Sequence, residues 1–276
     1  MVPEFSLALI IRPVLWLAVV VVATVLLRGG RASGRIRIAF LIGGIVVFGF
    51  VFAQLAAVGI QPNPVASLRL VLARLLLPVA APPGAGMAAT VLPIVVLILL
   101  LVAGWVSNKS ICGWVCPLGL LQSLIGRVPA PKWVPSLRPT NSVRVAAMAA
   151  LVGGMIVVGI DLIGRADPFS LFSLNATSAA IVLVIALIVA SVFIYRPWCR
   201  FLCPFGLVSW VVEQGSLLRP RIDRSICIDC RRCVAACPST AMTGFYNESR
   251  LHADCFACGR CIAACPKPGA IGWRAK

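Results

Sequence analysis

Cys227-Ile228-Asp229-Cys230-Arg231-Arg232-Cys233-Val234-Ala235-Ala236-Cys237-Pro238 is followed by Cys255-Phe256-Ala257-Cys258-Gly259-Arg260-Cys261-Ile262-Ala263-Ala264-Cys265-Pro266. These two segments decide how the chain is read. Each ends in Cys-Pro after cysteines separated by two, two and three residues. That spacing holds a pair of [4Fe–4S] clusters: three cysteines cap corners of one cubane, and the fourth, before proline, reaches across to the other. Cys227, Cys230, Cys233 and Cys265 are therefore the expected ligands of cluster 1, and Cys255, Cys258, Cys261 and Cys237 those of cluster 2. Zinc modules use four ligands, often with histidine. The single histidine, His252, reads as a surface or supporting residue.

Working outward, the rest of the chain is too apolar for a water-soluble domain. It is 61% hydrophobic and 12% charged, with a mean hydropathy of +1.02. A helix needs about 20 apolar residues to cross a bilayer. Five stretches qualify: 7–27, 36–58, 88–106, 145–160 (beginning near Asn141) and 177–195. The first is too long for a cleavable signal peptide, and its basic cluster follows rather than precedes it; its Arg12 can snorkel to the interface.

Charge then predicts orientation. Arg28, Arg31, Arg35 and Arg37 fill the first loop, and Lys109, Arg127, Lys132, Arg138 and Arg144 the third, while 12 basic residues follow from Arg196 onward. The opposite side receives Arg12, Arg69, Arg74 and Arg165, with Glu4, Asp161 and Asp167. The positive-inside rule puts the N-terminus outside and the C-terminal domain in the cytoplasm of a multi-pass inner-membrane protein. The net charge of +17 reads as this topology signal and not as a nucleic-acid surface. All 12 cysteines fall on or near the reducing side, where they are available to metal.

The membrane part repeats itself. Asn63-Pro64-Val65-Ala66-Ser67-Leu68 after the second stretch corresponds to Asp167-Pro168-Phe169-Ser170-Leu171-Phe172 after the fourth. Cys112-Gly113-Trp114-Val115-Cys116-Pro117-Leu118-Gly119-Leu120 after the third corresponds to Cys199-Arg200-Phe201-Leu202-Cys203-Pro204-Phe205-Gly206-Leu207 after the fifth. Two-span repeats are parallel, so their pseudo-axis runs along the membrane normal and both Cys-x-x-x-Cys-Pro motifs come to one depth. The expected organisation is an extra N-terminal helix and basic loop (1–35), a first repeat (36–140), a second repeat (141–218) and the cluster domain (219–276). The first repeat carries an added stretch at 69–86, expected as an outer interfacial helix.

Cysteines at i and i+4 share a helix face. The following proline perturbs or ends that turn, or starts a new helix. Cys112, Cys116, Cys199 and Cys203 are thus candidates for one shared metal or redox-thiol centre. A disulfide within a pair is awkward, because Cα atoms four apart on a regular helix stand about 6 Å apart with nearly parallel Cβ vectors. Asp167 is a candidate proton acceptor or a cap before Pro168. Gln54, Gln61 and Gln122 can hydrogen-bond a quinone ring or lie at an interface. Trp105, Trp114, Trp198 and Trp210 read as an aromatic belt, and Gly43-Gly44 and Gly153-Gly154 as sites of close helix packing.

With both Cys-x-x-x-Cys-Pro motifs (112–117 and 199–204) and the doubled cluster motif in place, the chain resembles the NapH/MauN family of polyferredoxin-like membrane proteins, whose core recurs in NosR- and CcoG-type proteins. The resemblance runs from the second apolar stretch to the end. It implies an α-helical membrane protein of about five transmembrane helices with an internal two-helix duplication, plus a small α+β bacterial ferredoxin-like domain. It also implies electron transfer between the cytoplasmic clusters, the membrane cysteines and a quinone/quinol pool or an extracytoplasmic partner, with further iron–sulfur or cytochrome subunits and a role in quinol dehydrogenation. The first apolar stretch departs from the usual four-span pattern. The flavin-binding outer domain of NosR-type proteins and the C-terminal extension of CcoG-type proteins are expected to be missing, which argues against either larger activity. Two rival readings are a copper or iron reductase or handling protein, and a non-catalytic conduit within a larger respiratory complex.

Overall fold

Each of the five apolar stretches is helical over nearly all of its described residues. The computed structural model describes residues 7–32, 34–54, 64–76, 87–158, 167–172 and 176–275. Gln61, Asn63, Asp161, Arg165 and the later part of the 69–86 stretch lie outside them, as do the side chains of Arg12 and Gln54. The first stretch is α1 (Leu7–Arg28). The second is α2 (Gly34–Gly44), continued by a π-helical segment (Ile45–Val51) and a last turn, α3 (Phe52–Gln54). Then come α4 (Pro64–Leu76) and α5 (Met87–Ser107). Short α6 (Ser110–Trp114) and α7 (Pro117–Ile125) follow. The fourth stretch is α8 (Leu137–Val158) and the fifth α9 (Ser178–Phe193).

Gly34–Val51 and Leu137–Val157 are long and apolar enough to cross a membrane; Pro13–Arg28, Pro93–Ser107 and Ser178–Phe193 are shorter apolar helices. Their outer faces are apolar: Val21, Val25 and Val182 are each more than 60% exposed. α8 starts earlier than the expected boundary near Asn141, at Leu137. Pro139 in its first turn lacks only an N–H that has no intrahelical acceptor there, so the helix extends back through Arg138 and Arg144. Thr177 caps α9, its hydroxyl accepting from the Ala180 N–H at 3.2 Å.

Local chemistry explains the break at each Cys-Pro. Cys116 and Cys203 are extended residues at the N-cap positions of α7 and α10 (Pro204–Glu213), with proline at the first helical position. Cys112 lies on α6, and Cys199 in a π-helical turn (Trp198–Leu202). The paired cysteines therefore do not share one continuous helix: proline starts a new one. α7 packs against α2 and α9, and α10 against α8 and α5. α4 starts ahead of the expected interfacial stretch, whose described residues 69–73 are half-buried and whose Leu75 is exposed. It begins at Pro64 and packs on α5, α8 and α10, with Val65, Ser67 and Leu68 buried.

The C-terminal domain is built on a two-stranded antiparallel sheet, β1 (Leu218–Ile222) and β2 (Ile271–Ala275), in which Pro220 pairs with Trp273 and Ile222 with Ile271. Between the strands run α11 (Arg232–Ala235), α12 (Ala241–Tyr246) and α13 (Arg260–Ala263). The backbone N–H of Leu217 bonds the Trp105 carbonyl of α5 at 2.9 Å, fastening the sheet to the end of a long helix. α1 contacts β2, α5 and α6, so the N-terminal helix buttresses the junction.

Candidate functional site: two cluster cavities above four buried thiols

Both cysteine loops adopt one conformation. Asp229 (φ 52°) and Arg231 (φ 54°) in the first correspond to Ala257 (φ 48°) and Gly259 (φ 73°) in the second. Left-handed backbone at non-glycine residues costs energy and persists where the surroundings impose it; here it curls each Cys-x-x-Cys-x-x-Cys around a hollow.

Two cavities result. One is lined by Cys227, Cys230, Cys233 and Cys265, with Ile228, Tyr246 and Ile271. The other is lined by Cys237, Cys255, Cys258 and Cys261, with Met242, Phe256 and Trp273. The crossed sets expected from the spacing each come together, the Cys-Pro cysteine of each motif turning into the other motif's cavity. The linings suit an iron–sulfur cluster in donor chemistry as well as in number. The Met242 N–H points to Cys237 Sγ at 3.4 Å; apolar residues make up most of both walls, with Ser239 in one and Arg231 and Lys267 in the other. Burial pushes the Cys255, Cys261 and Cys237 thiols up, an effect that bonding to metal removes.

The four remaining cysteines also converge. Cys112, Cys116, Cys199 and Cys203 are all buried. Cys112 lies within electrostatic reach of the other three, and Cys203 within reach of Cys116 and Cys199. Among the described residues, no three His, Cys, Asp or Glu side chains are placed to hold a single metal ion.

The second cysteine loop is the one seated on these thiols. A Cβ at Gly113, next to Cys112, would fall 2.1 Å from the Phe256 carbonyl oxygen; only glycine permits this approach. Trp114 Nε1 donates to the Ala257 carbonyl at 2.8 Å. Gly259 sits so close to α1 that a side chain there would meet Leu27 and Ala32 at 3.1 and 3.0 Å. Cys203 is 24 residues from Cys227 and much farther from Cys255, yet cluster 2's loop is the one in contact.

A buried polar layer fixes this junction. Asp254 accepts from Lys109 and, at 2.5 Å, from Arg144. Burial opposes its ionisation, but the two cations outweigh that and hold its carboxyl below the usual range. Glu213 accepts from the Cys255 N–H at 3.2 Å. Arg196 donates to the Cys112 carbonyl and to Ser123 Oγ, both at 2.6 Å, and its guanidinium lies 4.4 Å from the Phe256 ring centre. Arg37 donates to the Gly113 carbonyl and stacks on Trp114 at 4.1 Å.

Several residues play parts other than those expected. Arg37, Lys109, Arg144, Arg196 and Arg200 are all buried, although each reads in the sequence as a loop or tail charge. Trp114 and Trp198 are buried, and Trp210 donates to the His252 carbonyl at 2.9 Å; the indoles serve the junction rather than an aromatic belt, and Trp105 alone of the four is well exposed. His252 is buried, not on the surface, with Nδ1 2.9 Å from the Ala253 carbonyl and 3.9 Å from Glu213. Asp167, in keeping with the cap reading of its sequence, caps its 3₁₀ turn, accepting from the Phe169 N–H at 3.0 Å. Gln122 is buried on α7. A Cβ at Gly44 would run into Leu120, whereas Gly43 and Gly153 face open space. The importance of Lys109, Arg196 and Arg200 was signalled only by their closeness to cysteines in sequence. Asp254 and Glu213 carried no signal beyond their place ahead of the second motif, and Phe256 none beyond its place inside it.

Comparison with known proteins agrees with this geometry. The family described as "4Fe-4S dicluster domain" matches residues 219–266. A second, described as "4Fe-4S binding domain", matches twice, at 89–135 and 177–224, and each match contains one Cys-x-x-x-Cys-Pro. The chain is 28% identical over 162 residues to YccM of Escherichia coli (strain K12), which is named as an electron transport protein; this covers 52% of the chain and 45% of YccM. It is 30% identical over 153 residues to the ferredoxin-type protein NapH of Haemophilus influenzae, covering 51% of each. It is 26% identical over 145 residues to the regulatory protein NosR of Pseudomonas aeruginosa, covering 48% of the chain and 20% of NosR. The chain spans about half the length of YccM and NapH. No solved structure matches it. Fold and site together define an iron–sulfur electron-transfer protein. Within that class its similarities are to the ferredoxin-type protein NapH, to YccM and, over a shared core, to NosR.

Proposed function

We propose that the protein is a multi-pass inner-membrane subunit that relays electrons between its cytoplasmic cluster domain, the four-cysteine centre and a quinone pool or an outer redox partner. Cys227, Cys230, Cys233 and Cys265 would hold one cluster and Cys255, Cys258, Cys261 and Cys237 the second. When bound, such clusters supply one-electron transfer. The chain's own part is positional. Gly113 lets the Phe256 backbone approach the Cys112 turn, and the Lys109–Asp254–Arg144 set clamps the second loop over the thiols.

The five-span reading, with an extra first helix (1–35) and two repeats (36–140 and 141–218) before the cluster domain (219–276), is supported by the matched contacts of α7 and α10 and by the doubled family match. The orientation is the one the basic loops predict. The acidic candidate Asp167 is a cap here, so we assign it no proton.

The observation that carries the proposal is the Gly113–Phe256 contact, which joins the Cys112 turn to the second cluster's cavity. Electron passage from reduced clusters to quinone, in membranes, tests it. Cys112→Ala/Cys199→Ala should stop passage while both cluster signals persist; normal turnover in that variant overturns the role given to the four thiols. The rival metal-handling reading draws on the all-thiol donor set, which is soft enough for copper. Copper bound in stoichiometric amount to the purified protein would favour it. Quinol oxidation that appears only after partner subunits are added would favour a conduit within a larger complex.

A further inference from the structure

Arg196 is fully buried, and among the described residues no carboxylate pairs with it. Its guanidinium donates to Ser123 Oγ and to the Cys112 and Gly113 carbonyls, and the sulfurs of Cys199, Cys112 and Cys116 lie within its electrostatic reach. Lys109 and Arg144 already share Asp254. Further guanidinium N–H groups in the same buried layer lack an acceptor: Nη1 of Arg37, Nη1 of Arg144, and Nε and Nη1 of Arg200.

Two helices add to this positive field. α7 and α10, nine and ten residues long, begin immediately after Cys116 and Cys203, so their free N–H groups and positive dipole ends face these sulfurs. The Gly206 N–H points to Cys203 Sγ at 3.3 Å, and the Gly119 and Leu118 N–H groups to Cys116. Buried cations and helix N-termini stabilise thiolates and do little for neutral thiols or a disulfide. A neutral four-thiol site would leave Arg196 as an uncompensated buried charge, which is costly.

Resting on the reading above that these four thiols form one redox centre, we infer that Cys112, Cys116, Cys199 and Cys203 together hold an anionic iron–sulfur cluster, and that Arg196 is its buried counter-charge and a positioning residue. Four thiolates outweigh the positive charge of such a core, so the whole is anionic and suits the field. Soft all-sulfur donors select iron–sulfur clusters, zinc or copper(I). The thiols are not arranged around a single-ion position, and a cluster holds its ligands farther apart than one ion does. The step is a one-electron exchange with the second cluster: one centre loses the electron the other gains, and no bond or proton at sulfur changes. A dithiol–disulfide pair would instead need two electrons and two protons.

The test uses the full chain, purified anaerobically in detergent. Iron and acid-labile sulfide are counted, and electron paramagnetic resonance is followed through a redox titration. Expected are more iron than the ~8 of two cubanes and a third signal that Cys112→Ser/Cys203→Ser removes while the other two remain. Arg196→Gln should shift only the third signal to lower potential, because losing a positive charge favours the oxidised form. Arg196→Lys should keep most of the wild-type value. Iron and sulfide matching two cubanes, with all four cysteines alkylated as free thiols or recovered as disulfide, overturns the cluster; this count is made on wild-type protein and needs no folded variant. A third signal whose potential ignores Arg196→Gln overturns the role of Arg196. If the cluster is found but Cys112→Ala/Cys199→Ala still passes electrons to quinone, the relay reading fails instead. If passage stops without any third cluster, the relay stands and this inference falls.

Discussion

Gly113 and Cys237 are the two residues at which a single atom decides most. A methyl on Gly113 meets a backbone carbonyl oxygen, not a flexible side chain, so the second loop must lift away. Overpacking of this kind costs about 1–3 kcal/mol, more than the roughly 1 kcal/mol of helix propensity that alanine returns. Gly113→Ala should therefore assemble both clusters yet slow exchange between the second cluster and the membrane side, read by rapid-mixing kinetics; unchanged rates would show that this contact is not the crossing point. Cys237 stands in the first motif but lines the second motif's cavity. Cys237→Ser should perturb the resonance signal of the cluster nearest the four thiols, and Cys265→Ser that of the other. This crossing was legible in the sequence because the motif encodes it in short covalent spacings. The Gly113–Phe256 contact was not, since 143 residues separate the partners and neither side chain announces the other.

At the scale of elements, the junction depends on a charge count. Asp254 is the shared acceptor for Lys109 and Arg144, and all three are buried. Asp254→Asn leaves two buried cations without their carboxylate, a loss of about 3–5 kcal/mol for a broken buried pair. Asp229→Asn removes the charge from an exposed partner of Arg224 at 3.3 Å and keeps an amide oxygen that can still accept from the Tyr246 hydroxyl, so solvent leaves little to lose. The first variant should undock the C-terminal domain and expose residues 214–218 to limited proteolysis, while the second should digest like wild type; equal digestion would mean the clamp contributes little. The helices themselves were visible in the sequence, because long apolar runs leave few alternatives. The helical breaks at Cys116 and Cys203 were visible only as a choice, since proline both ends and starts helices. The buried layer was hidden for a different reason. Arg37, Lys109, Arg144, Arg196 and Arg200 obey the charge bias of inner loops, and nothing in that bias distinguishes a solvated cation from one folded against a thiol.

Across the whole molecule the two clusters have unequal access, and this sets an order. Cys230 is exposed, and Ile228, Arg231, Arg232 and Lys267 stand exposed around it. The second set is covered from below, by Gly113 and Trp114 on α6 and by Leu27 and Ala32 at the end of α1. In the proposed orientation, a soluble carrier on the cytoplasmic side would meet the Cys227–Cys230–Cys233–Cys265 site at its exposed Cys230, while the buried thiols meet the loop of the other site. Cys227→Ala/Cys230→Ala should remove the exposed cluster and with it exchange with a protein-sized donor, whereas electrons arriving from the membrane side should still reduce the second cluster. The second cluster's resonance signal serves as the folding control, because its four ligands and its seat on α6 are untouched. Rapid reduction of that cluster by the soluble donor in this variant would show a separate outlet, and the order of centres would have to be reversed or branched.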